Sequence, residues 1–271
     1  MTRAITGKVV LVTGAAGGLG AALCRRYAQA GARIAAMDLD EPGLAALRDS
    51  LRADVLMLGG PQAGNIADPA ACAAAVARTV DHFGGLDLLL NNAGISHRSL
   101  LAGTDPAIIR RVMEVNFFGA LQMTHAVLPH LKASRGAVAA VSSVAGFAPL
   151  YGRTGYAASK HALHGFFDSL RTELAPLGVD VTLVCPSFIA TGIGAAALGG
   201  QGGAPQAARI ATGGESDPDD IARLIVAAIA QRRPLLLPDR TSRLAWWVSK
   251  LAPAFYARTM TRRVRAEFVQ P

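Results

Sequence analysis

The feature that most constrains the fold is a regular alternation of short apolar runs with longer alanine-rich segments. The short runs are β-branched or leucine-rich and predict strands at residues 8–13, 33–38, 55–58, 86–91, 137–142, 179–185 and 234–238. The longer segments predict helices at residues 21–30, 70–83, 106–131, 156–177 and 217–231. Because the strands are apolar almost throughout, both faces of their sheet should be buried, as in a doubly wound parallel sheet. The sequence therefore predicts an α/β fold with seven parallel strands.

The composition of the 271 residues excludes several classes of protein. The chain is 51% hydrophobic and 17% charged, which is unlike a disordered protein. No uninterrupted apolar run reaches the roughly 18 residues of a membrane-spanning helix, and the run at residues 9–12 leads into a glycine turn, unlike a secretory signal. Cys24, Cys72 and Cys185 lie far apart, so neither a disulfide framework nor a zinc site is predicted. We expect a cytoplasmic protein.

A glycine-rich turn follows the first predicted strand and reads TGAAGGLG over residues 13–20. Glycines allow the backbone to approach a phosphate closely, and the free N–H groups of a following helix attract a pyrophosphate. A turn of this kind can also be purely structural. Its position between a strand and a helix favours dinucleotide binding.

Asp38 ends the second predicted strand, about twenty residues beyond the glycine turn, where a carboxylate accepts hydrogen bonds from the adenosine ribose. The same charge would repel the additional phosphate of NADP. Ala16, Gly17 and Leu39 offer no arginine to compensate for it. The pattern therefore favours NAD, and the alternative is that Asp38 only begins the turn at residues 38–42.

Tyr156 and Lys160 are four residues apart, so they lie on one face of a predicted helix. A free phenol titrates near pH 10, and bringing that pKa close to neutrality requires about 4 kcal/mol of phenolate stabilisation. A neighbouring ammonium and an oxidised nicotinamide could supply it. Ser143 ends the fifth predicted strand, at the sheet edge where ligands of such folds bind.

Taken together, these motifs resemble those of the short-chain dehydrogenase/reductase family over roughly residues 5–238. The resemblance also includes Asn91-Asn92-Ala93-Gly94 after the fourth strand, Asn116, and Pro186-Ser187 followed by Thr191. It implies a Rossmann-like sheet with strand order 3-2-1-4-5-6-7. Residues 1–238 are then the dinucleotide-binding and catalytic domain, and residues 239–271 are a C-terminal helical extension.

The resemblance implies a role for each catalytic residue. Tyr156 exchanges the proton, Ser143 hydrogen-bonds the substrate oxygen, Lys160 holds the nicotinamide ribose, and Asn116 holds a water of a proton relay. Without the resemblance, Asn116 would be interpreted as a helix-interior residue satisfied by the backbone. The predicted cofactor-binding residues are Gly14, Gly17, Gly18, Leu19, Gly20, Asp38, Leu39, Asn65, Ile66, Asn92, Ala93, Gly94, Tyr156, Lys160, Pro186, Ser187, Ile189 and Thr191.

The chain departs from the family pattern at two cofactor positions. Asn65 stands where many members have an aspartate beside the adenine, and it can still accept a hydrogen bond there. Ser187 stands where glycine is common after the proline, and it adds a hydroxyl near the nicotinamide.

Several other polar residues are weaker candidates. His161 and His164 follow Lys160 at helical spacing but lack further ligands, so no metal site is predicted. His97 and Arg98 follow the Asn91-Asn92-Ala93-Gly94 motif and either face the substrate or form a solvated loop pair.

The charge of the chain is concentrated in its C-terminal extension. The formal net charge is +8, and residues 240–271 contain seven basic residues and one acidic residue, which leaves +2 for residues 1–239. A nearly neutral body predicts no nucleic-acid interface. Apolar residues at helical spacing on both sides of Pro253 predict two amphipathic helices. These helices either dock on protein, which would hide the large side chains of residues 246, 247, 255 and 256, or lie on an anionic membrane.

The sequence as a whole predicts an NAD-dependent oxidoreductase that interconverts a secondary alcohol and a ketone by hydride transfer. The alternatives are an NADP-dependent ketone or 3-oxoacyl reductase, a membrane-surface dehydrogenase acting on lipids, and a dinucleotide-binding scaffold without turnover. Residues 192–214 contain eight glycines and are expected to form a mobile loop near a hydrophobic substrate. From the resemblance we expect a homodimer or homotetramer with contacts through residues 106–131 and 156–177.

Overall fold

A computed structural model describes residues 2–51, 53–194, 196–205 and 214–268 of the protein. Its centre is a sheet of seven parallel strands in the order β3-β2-β1-β4-β5-β6-β7, which confirms the predicted fold class and strand order. The strands are β1 (Val9–Thr13), β2 (Arg33–Asp38), β3 (Val55–Gly59), β4 (Leu88–Asn91), β5 (Ala137–Val141), β6 (Asp180–Val184) and β7 (Leu235–Leu236).

The helices lie on both faces of this sheet and at the C-terminus. They are α1 (Gly18–Gln29), α2 (Glu41–Ser50), α3 (Pro69–Phe83), α4 (Pro106–Met113), α5 (Gly119–Ser134), α6 (Thr154–Leu174), α7 (Pro218–Ala230), α8 (Arg240–Leu251) and α9 (Pro253–Val264). A π-helical turn, Glu114–Phe118, separates α4 from α5.

Two helical segments differ from the sequence prediction. Helix α2 was not predicted. Only two of its residues, Leu44 and Leu47, are buried, so its apolar residues are too few to show a helical period. Its start is fixed by Asp40, whose carboxylate accepts a hydrogen bond of 3.0 Å from the Gly43 N–H. The single helix predicted at residues 106–131 is divided by the π-helical turn and extends to Ser134.

Each face of the sheet packs against its own hydrophobic layer. One layer joins the sheet to α3, α5 and α6, and Phe167, Met123 and Leu131 are completely buried in it. The other layer joins the sheet to α1, α2 and α7. This double coverage explains why the strand residues are apolar on both faces.

The strand order reverses between β1 and β4, since the chain runs outward to β3 on one side and to β7 on the other. At such a reversal the loops after the two strands diverge and leave a crevice beyond their carboxyl ends. This crevice lies between the glycine turn after β1 and the Asn92-Ala93-Gly94 segment after β4.

The C-terminal extension forms the two predicted helices, with the break at Pro253. Asp239 begins α8 by accepting a hydrogen bond of 2.7 Å from the Ser242 N–H. The inner side of the extension packs on the body, where Ala245 and Tyr256 contact Ala148 in a separate hydrophobic cluster. The division into two domains at residue 238 remains a prediction.

Helices α8 and α9 also carry large apolar side chains that are exposed. Four of them are between 62% and 78% exposed: Leu244, Trp247, Leu251 and Phe255. Trp246 is instead half-buried against Phe147, with ring centroids 4.9 Å apart. In the part of the chain that the structure describes, none of the helices combines the length and apolar character needed to cross a membrane.

The glycine-rich segment at residues 192–214 is partly tied to the body. Parallel bridges join His97 to Leu198 and Ile189 to Ser216. The predicted mobile loop also includes residues 195 and 206–213, which are not among the residues that the structure describes.

Candidate active site

A cavity of about 800 Å³ lies at the carboxyl edge of the sheet. Its walls are the glycine turn, the segments that follow β4, β5 and β6, the first turn of α6, and the inner sides of α8 and α9. Every predicted catalytic and cofactor-binding residue lines it except Asn116. The size is ordinary for a site that binds a small molecule.

The glycine turn has the geometry of a phosphate cradle. Gly14 has a φ of +66°, and a side chain there would come within 2.7 Å of the Ala93 Cα atom. A side chain at Gly20 would collide with the Gly14 carbonyl oxygen. Gly18 begins α1 and lines the cavity, so the free N–H groups of the first helical turn lie at this wall. These residues fit a dinucleotide pyrophosphate.

Asp38 is held rigidly at the cavity wall. One carboxylate oxygen accepts a hydrogen bond of 2.9 Å from the Ala16 N–H, and the other accepts one of 3.0 Å from the Asp40 N–H. The carboxylate therefore does begin the local turn, as in the alternative interpretation, but it lines the cavity as well. Each oxygen keeps a further lone pair for a ribose hydroxyl.

The segment after β4 is fastened to the end of β1. The Thr13 hydroxyl accepts hydrogen bonds of 3.1 Å from the N–H groups of Asn92 and Ala93. The Asn92 amide donates at 3.0 Å to the carbonyl groups of Thr13 and Gly14. Both amide protons of Asn92 are therefore used to hold the segment after β4 against the glycine turn.

The predicted adenine side of the cavity is formed by Leu39, Asn65 and Ile66. The Asn65 amide oxygen accepts a hydrogen bond of 3.1 Å from the Ala67 N–H. One lone pair of that oxygen remains for the adenine amino group. Leu39 is 55% exposed at the rim and presents no cation to a ribose phosphate.

Tyr156 and Lys160 meet on one face of α6. The Lys160 Nζ lies 5.7 Å from the centroid of the Tyr156 ring and donates a hydrogen bond of 2.9 Å to the Val141 carbonyl at the end of β5. Ser143 follows that strand, and its hydroxyl accepts a hydrogen bond of 3.2 Å from the Ala145 N–H. The phenol, the hydroxyl and the ammonium thus converge on one part of the cavity.

Burial dominates the titration of both helix residues. It raises the pKa of the Tyr156 phenol, against a hydrogen bond with Ser143 and the positive charge of Arg153, which lower it. It lowers the pKa of Lys160 from 10.5 to about 8. At neutral pH the phenol is protonated and most of the lysine carries its charge.

Asn116 lies behind the cavity wall, in the π-helical turn, and is buried. Its amide oxygen accepts from the Ile95 N–H at 2.8 Å, and its amide nitrogen donates at 2.9 Å to the Ile95 carbonyl and to the Ser159 hydroxyl. Both amide protons are therefore used within the protein, as the interpretation without the family resemblance predicted. Its role in holding a water remains a prediction.

The segment after β6 forms the wall opposite the glycine turn. The Pro186 carbonyl accepts a hydrogen bond of 3.0 Å from the Val144 N–H, and the Ser187 N–H donates at 3.0 Å to the Asp239 carboxylate. Thr191 packs against Gly18, where a side chain would come within 3.0 Å of the threonine Cγ2 atom. Ile189 completes the wall.

Two groups of residues at this cavity were not predicted from the sequence. One group is Arg153, just before α6. The other is formed by residues of α8 and α9 that line the cavity, among them Val248 and Met260 inside it and the exposed Leu244 and Arg263 at its rim. The helical spacing in the extension predicted an apolar face. The sequence pattern does not indicate which part of the protein that face packs against.

The two histidines considered for metal binding have other contacts. His161 Nδ1 lies 2.9 Å from the Ala157 carbonyl oxygen, and His164 Nε2 lies 3.4 Å from the Cys185 sulfur. Across the described ranges, no group of three His, Cys, Asp or Glu side chains is arranged to hold a metal ion.

Comparisons with known proteins place these features in a family. The family model described as short chain dehydrogenase matches residues 8–199. Dehydrogenase/reductase SDR family member 7B of Bos taurus is 35% identical over 274 residues, which cover 98% of this chain and 84% of that protein. Dehydrogenase/reductase SDR family protein 7-like of Anopheles gambiae is 35% identical over 273 residues, covering 96% and 84%.

Two solved structures share the fold, each with a TM-score of 0.79. A short chain dehydrogenase/reductase from Burkholderia phymatum in complex with NAD is 27% identical and covers 92% of this chain and 96% of its own. A short chain dehydrogenase from Burkholderia cenocepacia in complex with NADP is 25% identical and covers 95% and 99%. Members of this family thus bind a nicotinamide cofactor, and the choice between NAD and NADP varies.

The lowered pKa of Lys160 predicts a pH dependence of stability. The folded lysine titrates near pH 8 and the unfolded lysine near 10.5, so between these values the unfolded state binds more protons. The unfolding free energy of the wild type, relative to a Lys160→Met variant, should therefore rise across this window by about 3 kcal/mol. Urea unfolding of both proteins at several pH values measures the difference, and a constant difference from pH 8 to 10.5 would contradict the prediction.

Proposed function

This chain belongs to the short-chain dehydrogenase/reductase family, and we propose that it is an NAD-dependent oxidoreductase that interconverts a secondary alcohol and a ketone. The observation that carries the proposal is the convergence of Tyr156, Ser143 and Lys160 on one cavity that also contains a glycine cradle for a dinucleotide. A scaffold without turnover would have no need for a phenol, a hydroxyl and a buried ammonium at the same point.

The residues suggest how the proton is handled. The glycine turn, Asp38 and Lys160 would hold a nicotinamide dinucleotide, which would supply hydride-transfer chemistry at the carbonyl carbon. In reduction, the protonated Tyr156 phenol donates its proton to the carbonyl oxygen, while the Ser143 hydroxyl donates a hydrogen bond to that oxygen. In oxidation, the Lys160 charge and the charge of Arg153 stabilise the phenolate that receives the alcohol proton.

The proton-transfer role of Tyr156 is testable by removing the phenolic hydroxyl. A Tyr156→Phe variant keeps the ring, so we expect NADH binding to be unchanged and kcat to fall by at least about 100-fold. Turnover is followed at the nicotinamide absorbance with a panel of ketones and alcohols.

The control for this experiment is Tyr151→Phe. Tyr151 packs on Phe268, with ring centroids 5.6 Å apart, and is not among the residues that line the cavity. Turnover of that variant should be unaffected. A Tyr156→Phe protein that retains a large fraction of the wild-type rate would refute the assignment.

We propose NAD as the preferred cofactor because of the charge at the ribose end of the cavity. Asp38 presents a carboxylate that backbone N–H groups hold in place, and Leu39 beside it is uncharged. Arg25, a nearby cation on α1, is directed to Asp219 at 3.7 Å. A ribose phosphate would therefore meet repulsion without a compensating ion pair.

The preference predicts that NADH binds tighter than NADPH by about tenfold or more. Dissociation constants from nicotinamide fluorescence measure it directly. Asp38→Ala should lower the ratio of the NADPH dissociation constant to that of NADH. Asp40→Ala is the control: it removes a neighbouring carboxylate that does not line the cavity, and it should leave this ratio unchanged. Tighter binding of NADPH by the wild type would overturn the proposal.

A second candidate function is dehydrogenation at a membrane surface. Exposed apolar side chains on α8 and α9 lie beside seven basic residues of the extension, all of which are exposed as well. Apolar residues next to cations favour the interface of an anionic bilayer. The inner side of the same helices lines the cavity, so a hydrophobic substrate could pass from the membrane to the site.

Sedimentation with vesicles tests this candidate. The protein should bind phosphatidylglycerol/phosphatidylcholine vesicles at low salt and be released at high salt. A Trp247→Ser/Leu251→Ser variant changes two exposed residues outside the cavity lining and should lose binding, whereas Leu101→Ser, which removes an exposed leucine elsewhere, should not. Absence of vesicle binding together with an oligomer that the double variant disrupts would show that a partner subunit covers this surface instead.

A further inference from the structure

Arg98 is a buried cation without a counterion in the described part of the chain. The residue is 8% exposed and lines the cavity, and its Nη1 atom is buried without a hydrogen-bond partner. None of the ion pairs or side-chain hydrogen bonds among the described residues involves its guanidinium. Of the two alternatives for His97 and Arg98, the solvated loop pair is therefore wrong.

The position of Arg98 is fixed by its neighbours. Its N–H donates to the Leu198 carbonyl at 2.8 Å, and the following Ser99 N–H donates to the Gly152 carbonyl at 3.1 Å. His97 accepts a hydrogen bond of 3.3 Å from the Tyr156 N–H. The backbone of Arg98 is thus anchored on both sides, and the residue lines the cavity.

Arg98 lies at the substrate end of the cavity. The segment after β4 passes the glycine turn at Ala93 and Lys160 at Gly94, and it reaches the first turn of α6 at His97. Arg98 is one residue further along this path, next to the start of the helix that carries the phenol. A group bound by Arg98 therefore belongs to the substrate and not to the dinucleotide pyrophosphate.

Of the four other charged residues in the described lining, three have partners and one is exposed. Asp38 is the single acidic residue in the described lining, and it lies at the ribose end. Lys160 donates to the Val141 carbonyl, and Arg153 forms a buried ion pair of 3.3 Å with Glu267. Arg263 is exposed at the rim of α9. The substrate end therefore has excess positive charge, centred on Arg98.

A guanidinium keeps its charge at any physiological pH, so burial cannot be relieved by loss of a proton. An isolated buried charge is unfavourable unless another group pairs with it. Its planar fork of N–H donors matches the two oxygens of a carboxylate or phosphate. Among the described residues no such group pairs with Arg98, so we look for it on the ligand.

We propose that Arg98 binds an oxyanion of the substrate, a carboxylate or a phosphate attached to an apolar body. The apolar body would contact Leu150, Leu244, Val248 and Met260, which line the same cavity. This inference rests on the proposed function only in that the ligand is taken to be the alcohol or ketone. It narrows the substrate class from a hydrophobic compound to an anionic amphiphile.

Binding measurements test the proposal without requiring turnover. The NADH-saturated wild type is titrated calorimetrically with octanoate, octyl phosphate and octan-1-ol at constant ionic strength. At least one anion should bind with one site per chain and at least about tenfold tighter than octan-1-ol. Arg98→Met should remove that difference, and Arg98→Lys, which keeps the charge but not the fork, should retain part of it.

The matched control is Arg78→Met, which removes an equal charge from the exposed surface of α3. It should bind the anions as the wild type does. Thermal unfolding provides a second readout: the preferred anion should raise the melting temperature of the wild type and of Arg78→Met but not of Arg98→Met. Equal affinity of the wild type for the anions and the alcohol, or undiminished anion binding by Arg98→Met, would overturn the proposal. Failure to bind NADH would instead refute the proposed function. The proposal for Arg98 would then be decided by the melting temperatures, which can be measured without NADH.

Discussion

Helices cover both faces of the sheet, so polar side chains can meet a ligand only where the strands end. Strands β1 and β4 are buried along their whole length, and β5 is buried except at its last residue. The Thr13 hydroxyl, at the end of β1, binds the backbone that follows β4. This contact sets the width of the crevice at the reversal of strand order. The cofactor cleft is therefore a consequence of how the core is buried.

The C-terminal extension closes the opposite side of that crevice and also acts on its charges. Glu267 pairs with Arg153 just before α6, and both side chains are buried. Burial has the largest effect on the pKa of both Tyr156 and His97, raising the first and lowering the second. The charge of Arg153 has a smaller effect and lowers both pKa values. A carboxylate near the end of the chain thus holds the cation that faces the phenol. Packing of the extension and the titration of the Tyr156 phenol are linked through this ion pair.

The sequence predicts the fold well where a local pattern has one structural meaning. Continuous apolar runs predicted all seven strands, and the family resemblance supplied their order. Helix α2 was missed because two buried leucines are too few to establish a period. The π-helical turn at Asn116 was missed because it changes the hydrogen-bond pattern and not the hydrophobic spacing. The break at Pro253 was predicted because proline limits a helix directly.

The same reasoning explains why the two ends of the cavity differ in how far they could be predicted. The cofactor end is formed by short motifs in which glycines, Asp38 and the residues of α6 act close to their own positions in the chain. The substrate end brings together Arg98, Arg153 and Met260, which are distant in sequence and share no motif. In the sequence, each of these residues looks like an ordinary surface or core residue. Only the tertiary packing brings the three of them to the same cavity. On the proposed function, substrate choice would be set by contacts between distant segments, while the cofactor would be held by local backbone geometry.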